Sequence, residues 1–176
     1  MADAMTVETT GLSELERVLN EAAEREEDMT EAFKEVARVF YVAEHQLFRN
    51  EGRTDGYGAT SPWVKLSEPY RTDKANHEDY AGKGILELSG TLRKSLSYDN
   101  QPDSMFEVTK DSLFVGSMRL VKNRHGGLWN LGKLHSDGGR MIGGKPWLPR
   151  RPAIQVSDQQ EEKWADAIEK SLWVEE

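Results

Sequence analysis

No cysteine occurs in the 176 residues. Its absence excludes a disulfide framework, thiolate-bound zinc, an iron–sulfur cluster and thiol catalysis, and fits assembly in a reducing compartment. Long apolar runs are missing too. No stretch approaches the roughly 18 residues that a membrane-crossing helix needs, and residues 1–10 carry neither the basic start nor the apolar run of a signal peptide. The sequence predicts a protein made in the cytoplasm, with no membrane partner. Catalytic frames are equally scarce. There is no His-Glu-x-x-His, and His125 and His135 stand ten residues apart across glycines, while His45 and His77 sit in no ligand frame. No Gly-x-Ser-x-Gly elbow accompanies His125-Gly126-Gly127, and Pro146 follows Gly143-Gly144-Lys145 where a phosphate loop needs a hydroxyl. The expectation is a protein that is not an enzyme, with no cofactor, metal or catalytic residue.

Charge is present in quantity but segregated. Acidic groups outnumber basic ones by 31 to 23, for a net charge of −8. Residues 1–35 hold eleven acidic and three basic side chains, and residues 153–176 hold seven and two. Residues 117–152 reverse this, with Arg119, Lys122, Arg124, Lys133, Arg140, Lys145, Arg150 and Arg151 against Asp137 alone. An acidic whole binds nucleic acid poorly, because phosphate affinity scales with the cations presented. The basic segment still suits an acidic partner.

Ser13 and Glu16 form a capping-box pair, and Leu12, Leu15, Leu19 and Ala22 follow at helical spacing, which predicts a first helix to about Arg25. A stronger stripe of Phe33, Val36, Ala37, Phe40, Ala43, Leu47 and Phe48 predicts the main helix from Thr30 to about Arg49, capped by Asp28 or Thr30. Alternatively, the acidic run 24–28 joins the two into one bent helix. Residues 50–62 read as a loop, through Gly52, Gly56, Gly58 and Pro62. Trp63, Leu66 and Tyr70 are the next apolar anchors. Ser89-Gly90 opens a short helix or turn with Leu92 and Leu96, and strands are expected over 106–109 and 113–117 around a turn at Lys110-Asp111-Ser112. Residues 118–121 form a third strand or extend the second. Seven glycines between Gly126 and Gly144 predict a long loop or arm, followed by an extended proline-rich run through Pro146, Pro149 and Pro152. Ser157 with Gln160 begins a last helix bearing Trp164, Ile168 and Leu172. The division is an acidic helical arm, 1–28, and one domain, 29–176, with an extended loop at 122–147.

Three separated patches stand out: Trp63-x-x-Leu66-Ser67-x-x-Tyr70 with Lys74, Ile85-Leu86-x-Leu88-Ser89-Gly90-x-Leu92-Arg93-x-Ser95-Leu96, and Leu148-Pro149-Arg150-Arg151-Pro152-Ala153-Ile154. Taken in order, they resemble the phage virion morphogenesis, or tail-completion, proteins of tailed bacteriophages. The likeness spans about residues 35–173. Such proteins carry a Tyr-Ala-x-x-His-x-x-Gly-like strand before the proline–arginine run, for which the nearest text is Leu128-Trp129-Asn130-Leu131-Gly132, without the histidine.

The resemblance implies an α+β fold, with N-terminal helices and a C-terminal helix packed on a small antiparallel β-sheet, and here also a long Gly-rich basic loop. It implies a structural virion protein, made in the host cytoplasm, that forms a homo-oligomeric ring, six-fold by analogy, at the head–tail junction. That ring completes or terminates the tail and connects it to the head. Its partners are then its own copies, the adjoining connector and the tail tube, while phage DNA passes through the lumen without sequence-specific binding. The charge pattern adds an expected interface formed by Arg119, Lys122, Arg124, Trp129, Lys133, Arg140, Lys145, Trp147, Arg150 and Arg151 against acidic surface of a neighbouring subunit or ring. The alternative is a DNA-binding accessory protein acting through the basic segment 118–152.

Overall fold

The longest apolar stripe becomes the central element of the structure, a computed structural model that describes residues 23–24, 27–54, 60–87, 89–122, 126–139, 141–142, 145–146 and 148–173. Helix α1, Thr30–Arg49, buries Val36, Ala37, Phe40, Ala43, Leu47 and Phe48 along one face. Asp28 caps it from one residue outside, its Oδ1 accepting the Thr30 amide at 3.0 Å. The last turn closes when Gly52 donates its amide to the Leu47 carbonyl at 2.8 Å, a reversal that needs the left-handed φ of +100° glycine tolerates.

Helix α2, Glu68–Asn76, has Pro69 in its first turn and buries only Lys74. Without an apolar stripe it left no periodic signal in the sequence. Helix α3, Thr91–Ser97, follows Ser89-Gly90 as expected, with Gly90 at φ +75° and Leu92 and Leu96 turned inward. Strands β1, Ser104–Val108, and β2, Leu113–Ser117, form an antiparallel hairpin pairing Phe106 with Val115. Its turn is held by Thr109, whose amide donates to the Ser112 carbonyl at 2.9 Å and whose hydroxyl reaches Asp111 at 2.7 Å. Strand β3, Leu120–Lys122, is a separate element that pairs antiparallel with β4, Leu128–Asn130.

Helix α4, Leu131–Asp137, starts immediately after β4, its N-terminus capped by the Asn130 side chain accepting from the Lys133 amide at 2.9 Å. Two-residue strands β5, Met141–Ile142, and β6, Lys145–Pro146, pair antiparallel. Helix α5, Asp158–Leu172, begins at Ser157 as its sequence predicted, the hydroxyl accepting the Gln160 amide at 3.3 Å. It packs along α1, and α3 and the β1–β2 hairpin lie against α1 as well.

The fold is therefore mixed α+β, with five helices and small antiparallel pairs among the described residues. Two expectations change. The single sheet is three separate two-stranded pairs, and the extended loop 122–147 contains β4, α4, β5 and β6. Gly138 there acts as punctuation: at φ +74°, it ends α4 by donating its amide to the Leu134 carbonyl. Most of arm 1–28, including the expected helix through Leu12 to Ala22, lies outside the described residues, as do Gly56, Gly58, Leu88 and His125.

Candidate functional site: an apolar cleft rimmed by cations

Trp63 is buried at the bottom of the core beside Phe40, Leu47, Phe48, Ile85, Leu92, Leu96 and Ala153. Burial of large apolar side chains like these stabilises the fold by about 1.5–3 kcal/mol each. Its ring meets Phe48 edge-on at 5.2 Å, and its indole N–H donates to the Pro152 carbonyl at 2.7 Å. The neighbouring Arg151 donates from Nε to the Val64 carbonyl at 2.7 Å and from Nη2 to the Lys65 carbonyl at 3.2 Å. These bonds bring together the first and third of the sequence patches; Ile85, Leu92 and Leu96 supply the second. What is dispersed over ninety residues of chain is one packed unit.

A cleft of about 840 Å³ opens beside that unit, between the 64–74 segment, the 86–92 turn, β3, α4 and the Leu148–Pro149 stretch. Leu66, Leu86, Leu92, Val121, Leu131 and Leu148 supply apolar wall, while Lys65, Lys74, Arg119 and Arg151 contribute cationic groups. Lys74 and Arg151 are buried charges, 6% and 5% exposed. Lys74 Nζ donates to the Gly84 carbonyl at 2.6 Å, and burial lowers its pKa despite the opposing pull of Glu87 and Glu51. Burial lowers the pKa of Arg151 as well, against Tyr70 and Glu51. Neither cation is ion-paired with a carboxylate among the described residues.

His135, on α4, faces the same cleft. Burial first, and the Arg151 charge second, push its pKa down to about 4, so it is neutral at physiological pH. Its Nδ1 is buried with no hydrogen-bond partner among the described residues. Glu87 is engaged by Arg93 at 2.5 Å, and Arg119 by Asp103 at 3.0 Å. Among the described residues no three His, Asp or Glu side chains gather as a metal site would require. The cleft is apolar wall with these cations and the Glu87 carboxylate set into it, which suits an amphipathic segment.

The predicted interface residues fall in different places. Arg119 lines the cleft. Lys122, Lys133 and Arg150 are exposed on β3, α4 and the proline-rich run, with Lys133 within 3.3 Å of Asp137 and Arg150 donating to the Ser136 carbonyl at 2.9 Å. Trp129 is 46% exposed on β4. Arg151 is an internal brace rather than a surface cation. Lys145 has only its backbone described, in β6, and Arg124, Arg140 and Trp147 lie outside the described residues.

Sequence reading missed Lys74 and His135 as parts of one site. The histidine had a signal in its spacing: Leu131-Gly132-Lys133-Leu134-His135-Ser136-Asp137-Gly138 fits Tyr-Ala-x-x-His-x-x-Gly three residues beyond the text first aligned to it. The structure makes that stretch a helix, where a strand had been expected.

A family model described as the phage virion morphogenesis family matches residues 10–173. No curated protein and no solved structure matches the chain.

Proposed function

This chain belongs to the phage virion morphogenesis family, and from that premise we propose that it is a structural subunit of a homo-oligomeric ring, six-fold by analogy, at the head–tail junction of a tailed phage. The ring completes or terminates the tail and joins it to the connector on one side and the tail tube on the other. DNA passes through its lumen without sequence-specific contact.

The family match over nearly the whole chain carries the reading, since a structural or assembly role in the virion is what that family implies. The surface supports it. Two-stranded pairs are marginal on their own and leave strand edges open to a neighbour. Here they also expose Phe114, Leu120, Leu128 and Trp129, between 46% and 59%, the apolar and aromatic groups on which subunit contacts depend. The charge segregation adds complementary surfaces.

Negative-stain microscopy of the purified full chain, and of tails assembled with and without it, tests the proposal. Closed rings of uniform size, free or at the head-proximal tail end, are the expected result. Monomers throughout, with tails unchanged when the protein is omitted, would overturn it. Gel-shift titration separates the DNA-binding alternative: that reading requires duplex binding that weakens steeply with salt.

A further inference from the structure

Strands β2 and β3 lie on one extended run. Between them the Met118 amide donates to the Asp103 carbonyl and the Arg119 carbonyl accepts the Leu131 amide, both at 2.8 Å. Each bond continues a ladder in register, with β1 on one side of the run and β4 on the other. Side chains alternate along such a run. Val115 packs against the core and Val121 lines the cleft, whereas Phe114, Met118 and Leu120 turn outward at 50%, 56% and 49% exposure. Cross-strand pairing puts Leu128, 59% exposed, beside Lys122 on this outer face, and Glu107 beside Phe114. Four large apolar groups thus share one open strip. A carboxylate stands at one end and an ammonium at the other, about 26 Å away at 3.3 Å per residue.

Gly116 breaks the pattern of the strip. It occupies the outward register between Phe114 and Met118, opposite Met105, and is buried at the floor of the strip. Its φ is outside the left-handed region, and a Cβ there would meet nothing within 4 Å. Neither the backbone conformation nor the packing of its own subunit calls for glycine, which weakens a strand interior. A glycine placed this way suits close approach from outside.

We propose that the strip is the contact surface for a second copy of this chain, packed face to face about a two-fold axis at Met118. Under that operation the strip is complementary to itself. Residues equally far before and after Met118 meet, so Leu120 of each copy enters the slot over Gly116 of the other. Phe114 meets Leu128 and the aliphatic stem of Lys122, and the charges of Glu107 and Lys122 face each other at both ends. This complementarity of charge is what selects a second copy as the occupant. A strip this narrow makes a reversible dimer rather than a permanent one. An isologous pair closes on itself, so the inference stands apart from the ring reading.

Sedimentation equilibrium of the full chain over a wide range of concentration tests the pairing, and a monomer–dimer equilibrium is expected. Gly116→Val fills the slot with a residue that suits a strand. It should hold or raise the melting temperature while weakening dimerisation by about ten-fold or more. Glu107→Lys and Lys122→Glu should each weaken the dimer, and the double variant should restore it. Within one chain these two groups are too far apart to compensate each other across about a 10 Å screening length, so restoration reads a contact between copies. A monomer at every concentration would overturn the pairing. So would a dimer that survives Gly116→Val, a Gly116→Val chain that loses stability instead, or charge reversals that the double variant does not restore. Rings on the microscope grid with no dimer in solution would overturn the pairing alone, and a dimer with no rings would overturn the ring reading alone.

Discussion

Gly52 shows how much one position can carry. Its φ is +100°, and a Cβ there would stand 2.5 Å from the Trp63 backbone nitrogen, so neither the conformation nor the space admits a side chain. Gly52→Ala is expected to destabilise the protein by on the order of 3 kcal/mol, measured by urea unfolding. Glu44 is a second case. It is 1% exposed on α1, and burial pushes its carboxyl well above the usual range, offset in part by the Gln155 backbone. A carboxyl whose pKa is raised on folding contributes most at low pH, and that contribution is lost as pH rises from about 4.5 through the folded value. Glu44→Gln removes the cost of charging, so the variant should be more stable than the parent at pH 8, with the difference vanishing near pH 4. Thermal melts across that range check both sign and window.

At the scale of elements, the clearest helices are those whose ends and faces agree. α5 begins at Ser157, whose hydroxyl caps the Gln160 amide, and its inward side includes Gln160, Trp164, Ala167 and Ile168. Ser157→Ala should cost about 1 kcal/mol, read as a lower urea midpoint with an unchanged slope. α1 and α3 announce themselves for the same reason: an apolar stripe with a recognisable start. α2 does not, because a helix that buries only Lys74 is held by its first-turn proline and its surroundings rather than by a seam of its own. The stretch from 126 to 144 misleads for the opposite reason. Its glycines suggest freedom, yet Asn130 and Gly138 are start and stop signals of a seven-residue helix, too short to display a period.

At the scale of the whole molecule, the exposed cations of the basic segment among the described residues are Lys122, Lys133 and Arg150, while Arg151 holds the Val64 and Lys65 carbonyls from inside. The two groups should separate in experiment. Replacing Lys122, Lys133 and Arg150 together by Ser is expected to leave the melting temperature within a few degrees, since exposed charges contribute little to folding, but to weaken assembly and flatten its salt dependence in sedimentation at low and high ionic strength. Arg151→Ser should instead lower stability by on the order of 1–3 kcal/mol, because it leaves the part-buried Val64 and Lys65 carbonyls without their donor. If the triple variant assembles with unchanged salt dependence, the exposed cations are not the interface.

Local chemistry settled a good part of this protein. Side-chain periodicity and capping residues specify α1, α3, α5 and the β1–β2 hairpin, and the order of three short patches identifies the family, because these signals are written within a few neighbouring residues. Packing alone decided the rest. Whether Arg151 is a surface cation or a brace, and whether Lys74, His135 and Leu86 share a wall, depends on contacts between segments up to ninety residues apart, such as Trp63 with Pro152 at 2.7 Å. Such contacts are a property of how buried volume is filled, and no window of sequence contains them.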